Sequence, residues 1–505
     1  MIKTICREQT REKVRQVARN EYKLRSGLDG QKALKDRWTV LTVINLFTFM
    51  STLDASIVNV ALPRISEDLA LPIASSQWIV TIYLMTICVL ILIFGRMGDI
   101  FGKIRIFRIG TFLFILGSLL SGLGFSFALL LFGRVVQAVG ASMTMANNFG
   151  IATDIFPANE RGRALGLIGT FVSLGGITGP GIGGLIVSAV NWHFIFWINV
   201  PIGLIVMLLG WRLLPKDSVQ PGGSLDKKGS MLFGLFIILL FAGMLLGQHW
   251  GYTDQRIIAL LLLASAFFTA FLRMEWRKKE PMLQLRLFKN HLFSIGILCA
   301  YFVFVSNFCF NIIAPFYTQN ILHLSARDSG FLLMLFPIMM AVIAPLSGAL
   351  SDKIGSELLT FVGLLVLVAA QIGFSRVHAG SPIALVGVLI ALLGVGSGLF
   401  QSPNNSLVMS SVPRDQLGSA GSVNALIRNL GMISGITFAT TLLFASMSAR
   451  YGQRVTGILP HQPDIFLFGM HIVFLASSGI CLLSAVITGW RLFSSGGHLL
   501  HRTLR

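Results

Sequence analysis

Apolar stretches of about 20 residues recur along the whole chain and are separated by short polar segments. A helix that crosses a bilayer needs about 20 mostly apolar residues, because the hydrocarbon core is about 30 Å thick. The pattern therefore predicts an all-α integral membrane protein with an even number of spans and both termini on one side. The fourteen predicted spans are centred near Phe49, Met85, Leu116, Met143, Gly176, Ile205, Ile238, Leu263, Phe304, Ile338, Leu367, Leu393, Ile433 and Phe474.

The composition agrees with a membrane protein. The 505-residue chain is 54% hydrophobic and only 12% charged, whereas soluble proteins carry about 25% charged residues. The net charge is +19, but the basic residues do not form the single surface that a nucleic-acid binder requires. All thirteen lysines fall in the N-terminal tail or in loops of one predicted side. Lys and Arg mark the cytoplasmic side, so we predict that both termini are cytoplasmic and that nucleic acid is not a partner.

The chain contains an internal repeat. Segment 95–102 (GRMGDIFG) recurs at 348–355 (GALSDKIG), 253 residues later. Both copies fall on the predicted cytoplasmic side, which predicts two halves of the same orientation. With six spans in each half, two central spans are left over. The predicted regions are a basic tail (1–37), a six-helix bundle (38–214), two extra helices with flanking loops (215–290), a second six-helix bundle (291–490) and a C-terminal tail (491–505).

Four motifs lie in order along the predicted spans: 53–63 (LDASIVNVALP), 95–110 (GRMGDIFGKIRIFRIG), Arg134 with Gln137 and Gly140, and 175–184 (GGITGPGIGG). They resemble signatures of the major facilitator superfamily. With fourteen spans, the resemblance is to the drug:proton antiporter-2 family, the EmrB/QacA-like exporters. The resemblance implies the major facilitator fold of two six-helix bundles plus two extra transmembrane helices. It also implies a proton-driven exporter in the cell inner (cytoplasmic) membrane.

The motif after span 2 places an acidic residue between glycines. The residues alone leave open a solvated turn, or a carboxylate that holds a helix N-terminus or a basic side chain until the halves separate. The resemblance implies the second role, a conformational latch formed by Gly95, Asp99, Gly102 and Arg105, with Asp352 as the corresponding acid of the second half. Gly98 and Ile100 depart from the family pattern, and the missing basic residue at position 100 weakens the expected charge network.

Span 5 carries Gly175, Gly179, Gly183 and Gly184 around Pro180. Small residues let membrane helices approach closely, and a proline removes a backbone donor and bends its helix. These residues alone are also compatible with an ordinary packing face. The resemblance to the antiporter motif of proton-driven exporters implies a bend that seals the central cavity.

Three ionisable residues are predicted deep in the membrane, where a charge costs about 2.5–3.5 kcal/mol or more and marks a functional site. Asp54 and Arg134 are expected at similar depths, about 21 and about 18 Å from the cytoplasmic end. Burial favours the protonated acid and a nearby arginine favours the carboxylate, so Asp54 is predicted to carry the proton and Arg134 to modulate it. A structural ion pair is the alternative. Arg428 either holds the halves together or meets an anionic substrate.

A central cavity is expected between the halves, near the middle of the membrane. Its polar candidates are Asn59, Gln137, Asn148, Asn307, Asn311, Asn404 and Arg428. The aromatic residues Tyr83, Tyr301, Phe304 and Phe308 could stack on a flat or cationic ligand. Some of the amides are expected only to bond neighbouring helices, and lipid-facing packing is the alternative for each aromatic residue.

No catalytic or metal-ligating constellation and no GxxxxGK[ST] loop for ATP occurs in the sequence. We therefore predict a secondary transporter that is not an enzyme and has no cofactor. The main hypothesis is a monomer that exports hydrophobic, cationic drugs in exchange for protons, with the lipid bilayer as its solvent. The alternative is an exporter of an anionic amphiphile or lipid-like metabolite. A membrane sensor would need an appended soluble domain, and attachment of a periplasmic adaptor stays open.

Overall fold

The computed structural model describes residues 37–156, 161–215, 217, 226–278, 283, 285–413, 417–455, 457, 459 and 462–499. Within them, every regular element is a helix. Fourteen of these helical segments are long and apolar enough to cross a bilayer. The predicted number of spans is therefore confirmed. Most of the predicted N-terminal tail and the last six residues lie outside the described part of the chain.

The first six spans form the N-terminal half. They are span 1 (Arg37–Asp68), span 2 (Trp78–Phe101), span 3 (Lys103–Leu123), span 4 (Phe127–Ile155), span 5 (Arg161–Ala189) and span 6 (Phe194–Trp197 and, after a break, Asn199–Leu213). A short helix, Ile73–Ser76, precedes span 2. Span 7 (Lys227–Trp250) and span 8 (Gln255–Arg277) follow as the extra pair.

The last six spans form the C-terminal half, which begins after a 3₁₀ turn at Leu285–Lys289. They are span 9 (His291–Phe316, continued by a π-helical turn, Tyr317–Ile321), span 10 (Ala326–Leu333 and Leu335–Ile354), span 11 (Ser356–Phe374), span 12 (Ile383–Ser410), span 13 (Leu417–Tyr451) and span 14 (Pro463–Leu499).

Spans 2 and 10 both end at a glycine in the left-handed backbone region. The φ angle is +103° at Gly102 and +92° at Gly355, where a residue with a side chain would be strained. Each glycine belongs to one copy of the repeated segment, and the next span begins directly after it. The sequence repeat therefore corresponds to the same tight turn in both halves.

The halves contact each other mainly through three pairs of spans. Span 5 contacts span 10, span 2 contacts span 13, and span 1 contacts span 9. The contact between spans 5 and 10 lies near the end of the bundle that carries loops 69–77, 190–193 and 322–325. We call this end the predicted outer end, because the distribution of basic residues assigns it to the outside.

The extra pair lies at the side of the bundle. Span 7 packs against spans 2 and 13, whereas span 8 packs mainly on span 7. At the predicted cytoplasmic end, Asp226 caps span 7 by accepting a hydrogen bond from the Gly229 amide (2.8 Å) and forms an ion pair with Lys278. Burial raises the pKa of Asp226, but hydrogen bonds from Glu275, Lys278 and Gly229 outweigh it and hold this pKa below its ordinary value.

Candidate functional site

A cavity of about 200 Å³ lies between the two halves, near the middle of the spans. Spans 1, 2, 4 and 5 line it from the N-terminal half, and spans 9, 10, 12 and 13 line it from the C-terminal half. Drug-sized ligand sites have volumes of roughly 300–1,000 Å³. A substrate of that size therefore requires the halves to move apart from the arrangement described here.

The cavity wall is mostly apolar, with amides and one charged residue. Its aromatic members are Tyr83, Phe304, Phe308, Phe310 and Phe336, and its amide members are Asn59, Asn307, Asn311, Gln401 and Asn429. Among the described residues that line the cavity, Arg428 is the only charged one, and none is acidic. Four of the seven polar candidates from the sequence thus line the cavity: Asn59, Asn307, Asn311 and Arg428.

Arg428 lies on span 13 and is partly exposed toward the cavity. Its neighbours in the wall include the amide of Asn429 and the side chain of Met432. Within the described part of the chain, the guanidinium group of Arg428 makes no hydrogen bond, ion pair or ring contact. The cavity therefore carries a positive charge that the described protein residues do not neutralise.

The second embedded arginine, Arg134, lies in a buried polar cluster within the N-terminal half. Its Nη1 atom donates to Asp54 Oδ2 (2.7 Å) and to Gln137 Oε1 (2.6 Å), and its Nε atom donates to the Ile79 carbonyl oxygen (3.1 Å). Both side chains of the Asp54–Arg134 pair have no exposed surface. The similar depth expected from the sequence therefore corresponds to a direct ion pair.

Asp54 has two further hydrogen-bond donors. Its Oδ1 atom accepts from Gln137 Nε2 (2.9 Å) and from Asn199 Nδ2 (2.8 Å). Gln137 also donates to Ser118 Oγ (2.8 Å). The cluster joins spans 1, 2, 3, 4 and 6, so five of the six spans of the N-terminal half meet around one carboxylate. Asn199 comes directly after the break in span 6 and was not among the residues predicted from the sequence.

Tyr83 lies between this polar cluster and the cavity. Its ring centroid is 4.0 Å from the guanidinium carbon of Arg134, and the same residue lines the cavity. Asp54 and Arg134 themselves do not line the cavity. An aromatic ring on a guanidinium face stabilises the cation and excludes water from it. Tyr83 thus separates the candidate proton site from the candidate substrate site by one side chain.

Three predicted cavity residues do not line the cavity. Gln137 belongs to the Asp54 cluster, Asn148 donates to Thr48 Oγ1 (3.1 Å), and Asn404 donates to the Gly296 carbonyl oxygen (3.1 Å). In this conformation these residues correspond to the alternative expected for some of the amides, because an amide inside a membrane helix needs a partner and a neighbouring helix supplies it. A place for them in the cavity stays a prediction. Tyr301 is likewise absent from the wall and donates to Ser434 Oγ (2.9 Å).

Three glycines of span 5 allow close packing on span 1. A Cβ atom at Gly175 would lie 2.7 Å from the Phe49 carbonyl oxygen, and one at Gly183 would lie 2.7 Å from Ile57 Cγ1. A Cβ atom at Gly179 would overlap the Ser56 hydroxyl group. Ser56 Oγ also donates to the Gly175 carbonyl oxygen (3.1 Å). This face of the motif therefore packs within the N-terminal half.

The opposite face of the same motif meets the C-terminal half. A Cβ atom at Gly184 would lie 2.5 Å from the carbonyl oxygen of Ala326, at the start of span 10. Gly330 of span 10 packs equally closely on the carbonyl oxygen of Pro180. The backbones of spans 5 and 10 are thus in direct contact and close the cavity at the predicted outer end. The sealing role of Pro180 itself stays a prediction.

The predicted latch residues lie at the predicted cytoplasmic end. Asp99 pairs with Lys103 (3.7 Å), and Lys103 pairs with Asp154 of span 4 (2.8 Å). Gly95 faces span 4, and the side chain of Arg105 is exposed. These ion pairs connect spans 2, 3 and 4 of one half, so the latch role stays a prediction. Asp352 lies in span 10, but its side chain is outside the described part of the structure.

A residue that the sequence analysis missed caps span 3. The two carboxylate oxygens of Asp217 accept hydrogen bonds from the backbone amides of Ile104 and Arg105, each at 2.8 Å. Arg108 donates to the carbonyl oxygens of Gly210 (3.1 Å) and Leu214 (3.1 Å) at the end of span 6. The motif after span 2 is therefore held in two ways. The segment that follows span 6 caps the N-terminus of span 3, and Arg108 binds the carbonyl groups at the C-terminus of span 6.

Comparison with known proteins identifies the family. The Major Facilitator Superfamily profile matches residues 44–436. The riboflavin transporter RibZ of Clostridioides difficile (strain 630) is 33% identical over 456 residues, which cover 90% of this chain and 97% of RibZ. The tetracenomycin C resistance and export protein of Streptomyces glaucescens is 30% identical over 433 residues, which cover 85% of this chain and 78% of that protein.

A solved structure has the same fold at low sequence identity. It is a bacterial homologue of the human lysosomal transporter Spinster in an inward-facing, unoccupied conformation, with a TM-score of 0.62 and 17% identity. The match covers 90% of this chain and 96% of that one. The chain therefore belongs to the Major Facilitator Superfamily of membrane transporters and is not an enzyme, and its fourteen spans and drug-resistance relative agree with the drug:proton antiporter-2 family that its motifs resemble.

Proposed function

We propose that this chain is a proton-coupled antiporter that exports hydrophobic compounds across the cytoplasmic membrane by alternating access. The observation that carries the proposal is the position of Asp54. It is a fully buried carboxylate in the middle of span 1, with three donors on two other spans and no contact with the substrate cavity. A carboxylate in this position is expected to be functional, because burying it has a large energetic cost.

Protonation of Asp54 would act on the N-terminal half as a whole. The charged carboxylate accepts hydrogen bonds from Arg134, Gln137 and Asn199. A proton on one oxygen removes the negative charge and one acceptor site, which weakens the links between spans 1, 4 and 6. Arg134 also contacts span 2 through the ring of Tyr83, so the change reaches the wall of the cavity. This connection would couple proton binding to the arrangement of the substrate site.

Alternating access requires the seal between spans 5 and 10 to open. In this structure the halves touch at Gly184 and Gly330, so the cavity would load from the cytoplasmic side. In the outward-open state, a proton from outside would then reach Asp54. Its binding would return the transporter to the state that loads from the cytoplasmic side. The export direction has support from the relative that is named a tetracenomycin C resistance and export protein.

The cavity does not favour the cationic drugs of our main sequence-based hypothesis. A cationic drug would meet Arg428 and no described carboxylate in the wall. The alternative hypothesis, an anionic substrate, is favoured by the same observation. The relative RibZ is named a riboflavin transporter, which agrees with a flat polar ring system as a ligand.

The test uses purified protein in liposomes with an imposed pH gradient. Flux of ethidium (a cation) and of naphthalene-2-sulfonate (an anion) is followed by fluorescence, and proton movement by a trapped pH dye. For wild type, we expect at least one probe to move uphill only with the gradient. In Asp54→Asn, which resembles the protonated acid, uphill flux should be lost while exchange of the probe at equal pH continues.

Glu67→Gln is the matched control for loss of one carboxylate. Glu67 is an exposed residue at the end of span 1 that pairs with Arg64, so gradient-driven flux should stay at the wild-type rate. If every flux in wild type is indifferent to the gradient, or if Asp54→Asn transports uphill normally, proton coupling through Asp54 is rejected.

A further inference from the structure

The two embedded arginines differ in their partners. Arg134 has Asp54 as its counter-ion, two further hydrogen-bond acceptors and the ring of Tyr83. Arg428 faces the cavity, and no described residue forms a hydrogen bond or an ion pair with it. A charge without a counter-ion is unfavourable in the interior of a membrane protein. Since the described wall of the cavity contains no acidic residue, the ligand itself would supply the missing negative charge.

The wall beside Arg428 includes two aromatic residues in a defined order. Spans 9 and 13 pack closely, because a Cβ atom at Gly431 would lie 2.7 Å from Phe304 Cβ and one at Gly435 would lie 2.8 Å from Phe308 Cβ. Gly431 is about one helical turn from Arg428, and Gly435 is about one turn further toward the predicted outer end. Arg428, Phe304 and Phe308 therefore follow one another along this side of the cavity.

We propose that the cavity binds a small, flat aromatic anion, such as an aromatic sulfonate, carboxylate or acidic heterocycle. The negative group would lie on Arg428, and the ring would lie along Phe304 and Phe308. This inference rests on the proposed function for the identity of the cavity as the transport site, and it adds the charge and the shape of the substrate.

The size and polarity of the cavity agree with this class of ligand. A volume of about 200 Å³ is below the roughly 300 Å³ at which drug-sized sites begin, so a ring system of about two fused rings fits and a long acyl chain does not. Asn307 and Asn311 lie on the same span as the two phenylalanines, at the three- and four-residue spacings that share a helix face. Their amides can bond the polar edge of a ring.

The test measures equilibrium binding to the full-length protein in detergent at one pH. The probes are naphthalene-2-sulfonate (a flat anion), N-methylquinolinium (a flat cation with a ring system of the same size) and decane-1-sulfonate (a flexible anion). For wild type, naphthalene-2-sulfonate should bind at least about tenfold more tightly than either of the others. In Arg428→Gln its Kd should rise about 10- to 100-fold, the usual range for loss of a hydrogen-bonded charge.

Three variants separate a ligand contact from a general effect. Arg428→Lys keeps the charge and should retain part of the sulfonate affinity. Arg376→Gln removes the same charge from an exposed position and should leave the Kd unchanged. Phe304→Leu should weaken naphthalene-2-sulfonate severalfold and decane-1-sulfonate hardly at all. Melting temperature and elution profile verify that each variant is folded.

Several results would overturn the inference. Tighter binding of N-methylquinolinium than of naphthalene-2-sulfonate contradicts the charge, and tighter binding of decane-1-sulfonate contradicts the flat ring. Unchanged sulfonate binding in folded Arg428→Gln, or equal losses in Arg428→Gln and Arg428→Lys, contradicts the role of the guanidinium charge. Because binding is measured without a gradient, it does not depend on proton coupling. If Asp54→Asn still transports uphill but Arg428→Gln loses sulfonate binding, proton coupling through Asp54 is rejected and this inference stands.

Discussion

Replacement of Gly184 by alanine tests whether the contact between spans 5 and 10 controls access to the cavity. The new Cβ atom would lie 2.5 Å from the Ala326 carbonyl oxygen, about 1 Å inside an unstrained contact. The atoms nearest to this Cβ atom, in Ala326 and Arg327, all belong to the backbone. No side chain can therefore rotate away to relieve the clash. Overpacking of this kind costs about 1–3 kcal/mol. The cost falls only on the state in which the two spans touch.

The expected result is a shift toward the state that is open at the predicted outer end. A penalty of about 1–3 kcal/mol changes the equilibrium between the two states about 5- to 150-fold. The assay places one cysteine at Ala55, which lines the cavity, in a variant without the five native cysteines. A membrane-impermeant maleimide is then applied to each face of sealed vesicles, and the rate of labelling from the outer face should rise by that factor.

Gly176→Ala is the matched control. It lies on the same span, but its Cβ atom would lie 4.0 Å from Pro337 Cβ of the C-terminal half, an ordinary contact. Its labelling rates should equal those of the parent protein. If Gly184→Ala also labels at the parent rate while remaining folded, or if both variants label faster by the same amount, the backbone contact does not hold the outer end closed.

Three further results are expected. Asn199→Leu removes a donor to Asp54 Oδ1 (2.8 Å) and leaves a buried carboxylate with one hydrogen bond unmade, which costs about 1–3 kcal/mol, so gradient-driven flux should fall at least severalfold; unchanged flux would contradict the role of this bond. Tyr83→Leu removes the ring between the cavity and the polar cluster, and a trapped pH dye should report a proton leak in the absence of substrate that Tyr83→Phe does not show. Asp226→Asn should lower the melting temperature at pH 7, because the pKa of Asp226 is below its ordinary value and the carboxylate contributes stability above that range. This difference from wild type should shrink as the pH falls through the lowered pKa, and a constant difference would argue against the ion pair with Lys278 as its cause.

The spans and the central ion pair could be predicted from the sequence for simple physical reasons. The thickness of the hydrocarbon core fixes the length of each apolar stretch, so the fourteen spans follow from hydropathy. The depths of Asp54 and Arg134 follow from the rise of 1.5 Å per residue. A charge in the membrane requires a partner, and these two are at similar depths, so their contact required no knowledge of how the helices are arranged.

The faces of the polar residues were harder to predict. Gln137 was assigned to the cavity because it is polar, but it is three residues after Arg134 and therefore shares the face of span 4 that meets Asp54. That spacing was a usable signal. Asn199 and Asp217 gave no comparable signal, because their partners are 145 and 113 residues away and depend on how spans 1, 3 and 6 are arranged.

The extra pair makes the two lateral faces of the transporter unequal. Span 7 packs against both span 2 and span 13, and these two spans belong to opposite halves and border the same cavity. A hydrophobic molecule dissolved in the bilayer would therefore find the groove between spans 2 and 13 covered by protein. The groove beside spans 5 and 10 has no such cover among the described helices. A compound dissolved in lipid therefore meets a protein-covered groove on one lateral face of the protein and a groove without that cover on the other.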